Sequence, residues 1–592
     1  MLRRCYLFGF LLISLWNFTV LADTATLIPA NASWKVFQSR AEQGTAWTLP
    51  GFYDGNWRTI NGESSDGNAS NIPQSPGSQT TYLRSSFTLT NKALYRALIL
   101  KLPRSQNVIV YLNGVEIYRS PPPTVDIEPG SENETIPDDN DNRVYTRAYP
   151  DPSLLQNGNN IVAVQFRQQS QSGNNLPIHL VLTASTTPVV TRGPYLQRQA
   201  PNAIVLRWRT NVATNSRVRF GKSSTSLSSA ATSTSSVTEH TIAVSGLSAN
   251  TKYYYSVGTT TTTLAGGGNN YFFYTPPPTG TAIAVRVWVV GDSGTGNSSA
   301  RAVRDAFNSY NGSKYTNLML MLGDNAYSSG TDSQYQSNFF DVYQNRLRQT
   351  AVWPTIGNHD TAESSSPSLS IPYFLNFTLP TRGESGGIAS GTEKYYSFNY
   401  SNIHFVCLDS MTSNRSASGS MLTWLKNDLA NNTKEWVIAF WHHPPYSKGS
   451  HDSDAETRSI EMRKNALPIL ENYGVDLVLS GHSHSYERSK FIDGFYGYSW
   501  NWSNKYLIKG SSGRTDQGGA YTKPARTAHE GAVYAVAGSS GHLSSGSLNH
   551  PVMYISLLKL GSMILDINGK RMDVKFLRET GSIGDYFTII HK

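Results

Sequence analysis

Six apolar runs in the second half of this 592-residue chain constrain its fold more than any other feature. They are VRVWVV (285–290), NLMLML (317–322), AVWPTI (351–356), IHFVCL (403–408), WVIAFW (436–441) and VDLVLS (475–480). Each has the length of one buried strand. ARAVRDAFNSY, SGSMLTWLKNDLANN and AETRSIEMRKNALPILENYG fit helices between them. Such alternation predicts an α/β domain with buried strands. The runs give way abruptly to polar blocks: GDSGTG (291–296), GDNAY (323–327), GNHD (357–360), WHHPPYSKGSH (441–451) and GHSHSYER (481–488). Strand ends are where such a sheet places its chemistry.

One Gly-Asp is a turn and one Asn-His is a loop, but five blocks in order, each closing a strand, are not explained by turns. Ten of the thirteen histidines lie between residues 359 and 550. His482 and His484 are two apart, so an extended backbone would turn both to one side of the strand end, an arrangement suited to metal ligation. Alone, the pair reads equally well as a polar turn.

The chain is too long for one core, so three or four domains are expected. Residues 1–22 have a basic start, an apolar centre and a small-residue exit at Val20-Leu21-Ala22. That is the pattern of a secretory signal cleaved near Ala22. An exported protein with no membrane segment in its mature form is expected. Cys5 leaves with the signal, and Cys407 lies in an apolar run, so no disulfide is expected. The net charge of +9, or +7 without Arg3 and Arg4, is not concentrated in any basic run, which excludes nucleic acid as a partner. Ten sequons follow the signal, at Asn31, Asn68, Asn133, Asn297, Asn311, Asn376, Asn399, Asn414, Asn431 and Asn501; export would make the protein a glycoprotein where the host glycosylates.

Residues 23–187 read as short strands, with a hairpin in NVIVYLNGVEIYRS at Asn113-Gly114. The acidic loop PDDNDN (137–142) lacks the spacing of a calcium loop and reads as solvated. Residues 188–277 are also β-rich, with Trp208 on a core strand and Tyr253, Tyr255 and Val257 on one face. The Ser/Thr-rich stretch SSTSLSSAATSTSSVT reads as a mobile loop, and TPPPTG (275–280) as a stiff linker. Residues 278–592 hold the six runs and end in closing strands from about 545, with a further hairpin at Asn568-Gly569. The segment 364–400, aromatic and Gly-rich, reads as part of a pocket rim.

The first segment resembles galactose-binding-like jelly rolls, which offers a carbohydrate contact beside a spacer or docking role. The second resembles a fibronectin type III sandwich. From about residue 283 the five polar blocks resemble those of the calcineurin-like metallophosphoesterases, specifically the purple acid phosphatases. The expected architecture is multidomain, two all-β sandwiches followed by an α/β domain with a β-sandwich core flanked by helices. The resemblance implies that Asp292, Asp324, Tyr327 and His484 bind a first metal. Asp324, Asn358, His442 and His482 would bind a second, with Asp324 shared. Asp292 is followed by Ser293-Gly294 rather than by the histidine of most metallophosphoesterases, and Tyr327 supplies the missing donor, as in the purple subgroup. A phenol of pKa about 10 calls for a strongly Lewis-acidic ion. The implied cofactor is Fe(III) with a divalent ion (Zn, Fe or Mn). The H-x-P pattern favours His442 over His443, while His359 and His451 match histidines that contact the phosphate and assist the leaving group. For His451 a plain surface histidine remains open. The implied function is a secreted acid phosphatase in which metal-activated hydroxide attacks small phosphate monoesters, with an acidic optimum. A phosphodiesterase or nucleotide pyrophosphatase using the same pair, and a non-catalytic carbohydrate-binding protein, are the other readings.

Overall fold

Strand alternation, not helical spacing, governs the first of two compact units. The computed structural model describes residues 24–62, 71–72, 80–103, 108–120, 145–167, 176–177, 179–362, 364 and 370–592. The leader, the acidic loop 137–142 and the sequons Asn68 and Asn133 lie outside the described residues. In the first unit, which ends at Pro188, a four-stranded and a six-stranded antiparallel sheet share one core. Leu98, Leu100 and Leu182 come from the former, and Leu83, Val110 and Val162 from the latter. The hairpin Val108–Leu112 and Val115–Arg119 turns at Asn113 and Gly114, which both take positive φ, a conformation asparagine and glycine tolerate.

Residues 189–592 form the second unit. Its first part is a sheet built on the long strand Ala203–Gly221, flanked by Val190–Ala200 and Lys252–Gly258. Trp208, Tyr253, Tyr255 and Val257 are buried together, as the alternation predicts. The Ser/Thr-rich stretch corrects the expectation of a loop. It enters the 17-residue strand Ser229–Ser245, paired with Ala203–Gly221. Its polarity reflects exposure along most of this strand, and threonine is itself a good strand former.

The remainder packs two seven-stranded mixed sheets. The first runs Ala351–Pro354, Leu318–Met321, Val285–Val290, Gly561–Asn568, Arg571–Arg578, Ile583–His591, Tyr521–Lys523. The second runs Tyr396–Tyr400, Ile403–Cys407, Trp436–Trp441, Leu477–Ser480, Val533–Ala537, Tyr486–Ser489, Met553–Leu557. All six apolar runs are strands, fully buried. Their near-continuous hydrophobicity follows from burial on both faces: Phe405 and Cys407 join the large core, whereas Val406 and Leu408 pack with the helices Ser420–Ala430 and Leu467–Asn472. On the first sheet, Trp288 stacks on Phe307 of the helix Ser298–Asn311 with ring centroids 4.2 Å apart. Cys407 is a buried free thiol.

The aromatic ends of the described part of 364–400 pack into the core: Tyr373 and Tyr396 both donate to the Pro354 carbonyl, and Tyr195 of the fibronectin-like sheet donates to the Asn376 carbonyl at 2.7 Å. The aromatic residues of these ends are there to be buried. Residues 381–394 are exposed or half-buried apart from Ser385. Two sequons, Asn311 and Asn376, are buried, which closes both to a glycan in the folded chain. Among the described residues, no helix is long and apolar enough to cross a membrane.

Candidate metal centre

Five strand ends deliver the candidate side chains. Asp292 follows Val285–Val290, Asp324 and Tyr327 follow Leu318–Met321, and Asn358 and His359 follow Ala351–Pro354 on the first sheet. His442 follows Trp436–Trp441, and His482 and His484 follow Leu477–Ser480 on the second. The backbone bends sharply to aim them. Asp292, Asp324 and His482 have φ of 53°, 51° and 67°, a left-handed conformation that costs energy outside glycine and concentrates at functional sites. His482 and His484 therefore do not share the face of an extended strand, as their spacing suggested. They reach one cavity because the backbone turns between them. Gly481 permits the approach, since a Cβ there would lie 2.4 Å from Asp292 Oδ2.

All seven proposed ligands converge. In one half, Tyr327 Oη lies 3.2 Å from Asp292 Oδ1, 3.0 Å from Asp324 Oδ2 and 3.4 Å from His484 Nε2. In the other, Asn358 Oδ1 lies 2.9 Å from His442 Nε2 and 3.1 Å from His482 Nδ1, and those two nitrogens are 3.2 Å apart. Asp324 Oδ2 is also 3.4 Å from His442 Nε2, so one carboxylate oxygen faces both halves.

Each of the three histidines has its outward nitrogen occupied. His442 Nδ1 donates to the Leu322 carbonyl at 2.8 Å, His482 Nε2 contacts Glu456 Oε2 at 3.0 Å, and His484 Nδ1 contacts Ser544 Oγ at 3.2 Å. That turns the inward nitrogens of His442 and His482 toward each other and toward an amide oxygen, three potential metal donors converging on one point. A cation satisfies such a set. The electrostatics agree. Burial opposes charge on His442, yet Asp324, with help from Asp292, pushes its pKa to about 9. Burial also opposes charge on Asp324, and the neighbouring His442 still holds its carboxyl below the usual range. Burial, then the Asp324 and Asp292 carboxylates, push the Tyr327 phenol well above its ordinary value. Positive charge is in demand at the centre of the cavity.

Residues 285–486 match the calcineurin-like phosphoesterase model, and residues 192–275 match the N-terminal domain of purple acid phosphatases. Between them these two matches make the second unit similar to the purple acid phosphatases. Purple acid phosphatase 15 of Arabidopsis thaliana is 29% identical over 305 residues, covering 47% of this chain and 54% of the relative. Probable purple acid phosphatase 20 of the same plant is 28% identical over 329 residues, covering 53% of this chain and 72% of the relative. The chain thus spans about half the length of the first of these relatives. The structure of a purple acid phosphatase isolated from yellow lupin (Lupinus luteus) seeds shares the fold, with a TM-score of 0.55 over 88% of this chain and 95% of that one at 14% identity. The purple acid phosphatase family implies a binuclear metal centre, and the two groups of converging donors, sharing Asp324, fit one.

The remaining predicted residues divide. His359 sits beside Tyr327, ring centroids 4.4 Å apart, with its Nδ1 donating to the Ser328 carbonyl at 2.6 Å. His451 is brought to the cleft, its ring 3.7 Å from that of His482. His443 is turned aside, its Nδ1 on Ser410 Oγ at 2.9 Å, and burial drives its pKa well below 6.5. Two cleft residues escape the sequence reading. His542 lies with its ring 3.8 Å from His484 and 5.1 Å from Tyr327; burial, then His484, lowers its pKa to about 4. It follows the strand Val533–Ala537 in GSSGHL, another apolar run ending in a glycine-rich block, so the pattern that exposed the other five blocks would have found it. Glu456, bonded to both His451 and His482, has no comparable signal.

Proposed function

We propose that this chain is an exported acid phosphatase that releases phosphate from small monoesters at a binuclear centre. The observation that carries the reading is the placement of Asp324 Oδ2 between Tyr327 Oη and His442 Nε2, so that one carboxylate serves both halves of the cavity. Asp292, Asp324, Tyr327 and His484 would hold one ion, and Asp324, Asn358, His442 and His482 the other. The first set is rich in anionic oxygens, which suits Fe(III); the second, apart from the shared carboxylate, is neutral, which suits a divalent ion. When bound, such a pair supplies charge neutralisation for the phosphate and acidifies water.

The rest belongs to the chain's own side chains. The backbone N–H of His482 donates to both oxygens of Asp292 at 3.0 and 2.8 Å, and that of His359 donates to Asp324 Oδ1 at 2.9 Å. These bonds fix the carboxylates before any ligand arrives, which avoids reorganisation during reaction. His359 and His451 each have Nδ1 occupied, by Ser328 and Glu456, and so each keeps Nε2 for a substrate. His451 stands over the second half and is placed to give a proton to the departing oxygen, whereas His359 beside Tyr327 is placed to hold a phosphate oxygen. Export rests on the opening 22 residues, and the secreted protein should begin just after Ala22.

The purified protein should release p-nitrophenol from p-nitrophenyl phosphate at acid pH, and Asp324→Ala should not. Equal release by both proteins would overturn the reading. Faster cleavage of bis-p-nitrophenyl phosphate than of the monoester would shift it to a phosphodiesterase.

A further inference from the structure

The helix Thr457–Glu461 begins at Glu456, which occupies the N-cap position but makes no side-chain cap bond to the helix. Glutamate is a poor N-cap, and this one turns elsewhere. Oε1 meets His451 Nδ1 at 2.5 Å and Oε2 meets His482 Nε2 at 3.0 Å. Both oxygens of an acceptor-only carboxylate are thus used on imidazole N–H groups. The bond to His482 matters for what it leaves behind. With Nε2 protonated and donating, Nδ1 keeps its lone pair, and Nδ1 is the atom facing Asn358 Oδ1 and His442 Nε2. The bond to His451 fixes that ring through Nδ1 and leaves Nε2 facing the cleft, to carry the proton it would give. His442 and His484 are pinned by a main-chain carbonyl and a serine hydroxyl, each of which serves one ring. Among the described residues of the cleft, Glu456 alone ties a proposed ligand to a proposed proton donor.

Resting on the phosphatase reading above, we propose that Glu456 is a positioning residue that aligns His482 for the second ion and His451 for the substrate at once. Carboxylates bonded to ligating histidines commonly raise metal affinity, and their loss costs about 10–100-fold. A glutamine keeps the size but can accept at one end only, so its amide group would oppose one of the two N–H donors.

The test is stepwise dialysis of the purified holoprotein against rising chelator, with ions per chain counted at each step, for wild type, Glu456→Gln and Glu461→Gln. Glu461 lies on the same helix and pairs with Arg415, so it controls for perturbation of the helix. Glu456→Gln should release one of its two ions at about 10–100-fold lower chelator and the other as wild type does. Its kcat should fall further for an alkyl phosphate than for p-nitrophenyl phosphate, whose leaving group needs no proton. Glu461→Gln should match wild type in both measurements. Release of both ions at wild-type chelator concentrations by Glu456→Gln would overturn the proposal. So would early loss of both together with an unchanged melting temperature. A wild-type protein holding fewer than two ions would overturn the phosphatase reading, and this inference with it.

Discussion

In the fibronectin-like sheet His240 is as buried as any histidine of the cleft, yet both its nitrogens are taken up by the fold. Nε2 meets Thr210 Oγ1 at 2.7 Å, Nδ1 meets Ser216 Oγ at 2.8 Å, and the ring stacks on Trp208 with centroids 4.7 Å apart. His404, between Asn399 and Asp428, and His591, between Glu435 and Asp476, are satisfied in the same way. His442, His482 and His484 differ in one respect: each has one nitrogen pinned from outside and the other aimed at a centre shared with carboxylates. Burial does not separate a structural histidine from a functional one. The destination of the second nitrogen does.

Substitution can break this contrast, and the largest effect is expected at the shared carboxylate. Asp324→Ala should cut phosphate release by more than about 10³, whereas His240→Ala should leave the rate per correctly folded molecule unchanged, as steady-state assays of both will show. Next comes His451→Ala, expected to slow an alkyl phosphate by about 10² and p-nitrophenyl phosphate much less; equal losses on the two substrates would remove the proton-donating role. His240→Ala should instead cost about 2–4 kcal/mol of stability in denaturant unfolding, with metal content intact. The smallest effect is on pH. Burial holds His240 at about 4 instead of its ordinary 6.5. The unfolded chain therefore binds a proton that the folded one refuses, so this contribution is complete above pH 6.5 and lost as pH falls toward 4. Melting temperatures across that window should fall less steeply for His240→Gln than for wild type.

Much of this contrast was legible in the sequence. Runs such as VDLVLS are apolar throughout because their strands are covered on both faces, and the polar blocks stand out because they begin where those strands end. The choice of seven ligands came from the resemblance to purple acid phosphatases, but the blocks that hold Asp292, Asp324, Tyr327, Asn358, His442, His482 and His484 could be located from position. The manner of their convergence could not: φ of 67° at His482 depends on what packs around Gly481, and that packing comes from another sheet. The strand in Ser229–Ser245 was hidden because a strand exposed along most of its length shows little alternation. Glu456 sits fourteen residues beyond His442 at a helix start, a place with no motif to mark it.

Metal content of the purified protein, measured with its visible spectrum, bears most directly on the shared-carboxylate centre. Two ions per chain are expected in wild type, with a visible absorption band that vanishes in Tyr327→Phe, and loss of the pair is expected in Asp324→Ala. One ion or none in wild type, or two retained after Asp324→Ala, would contradict it.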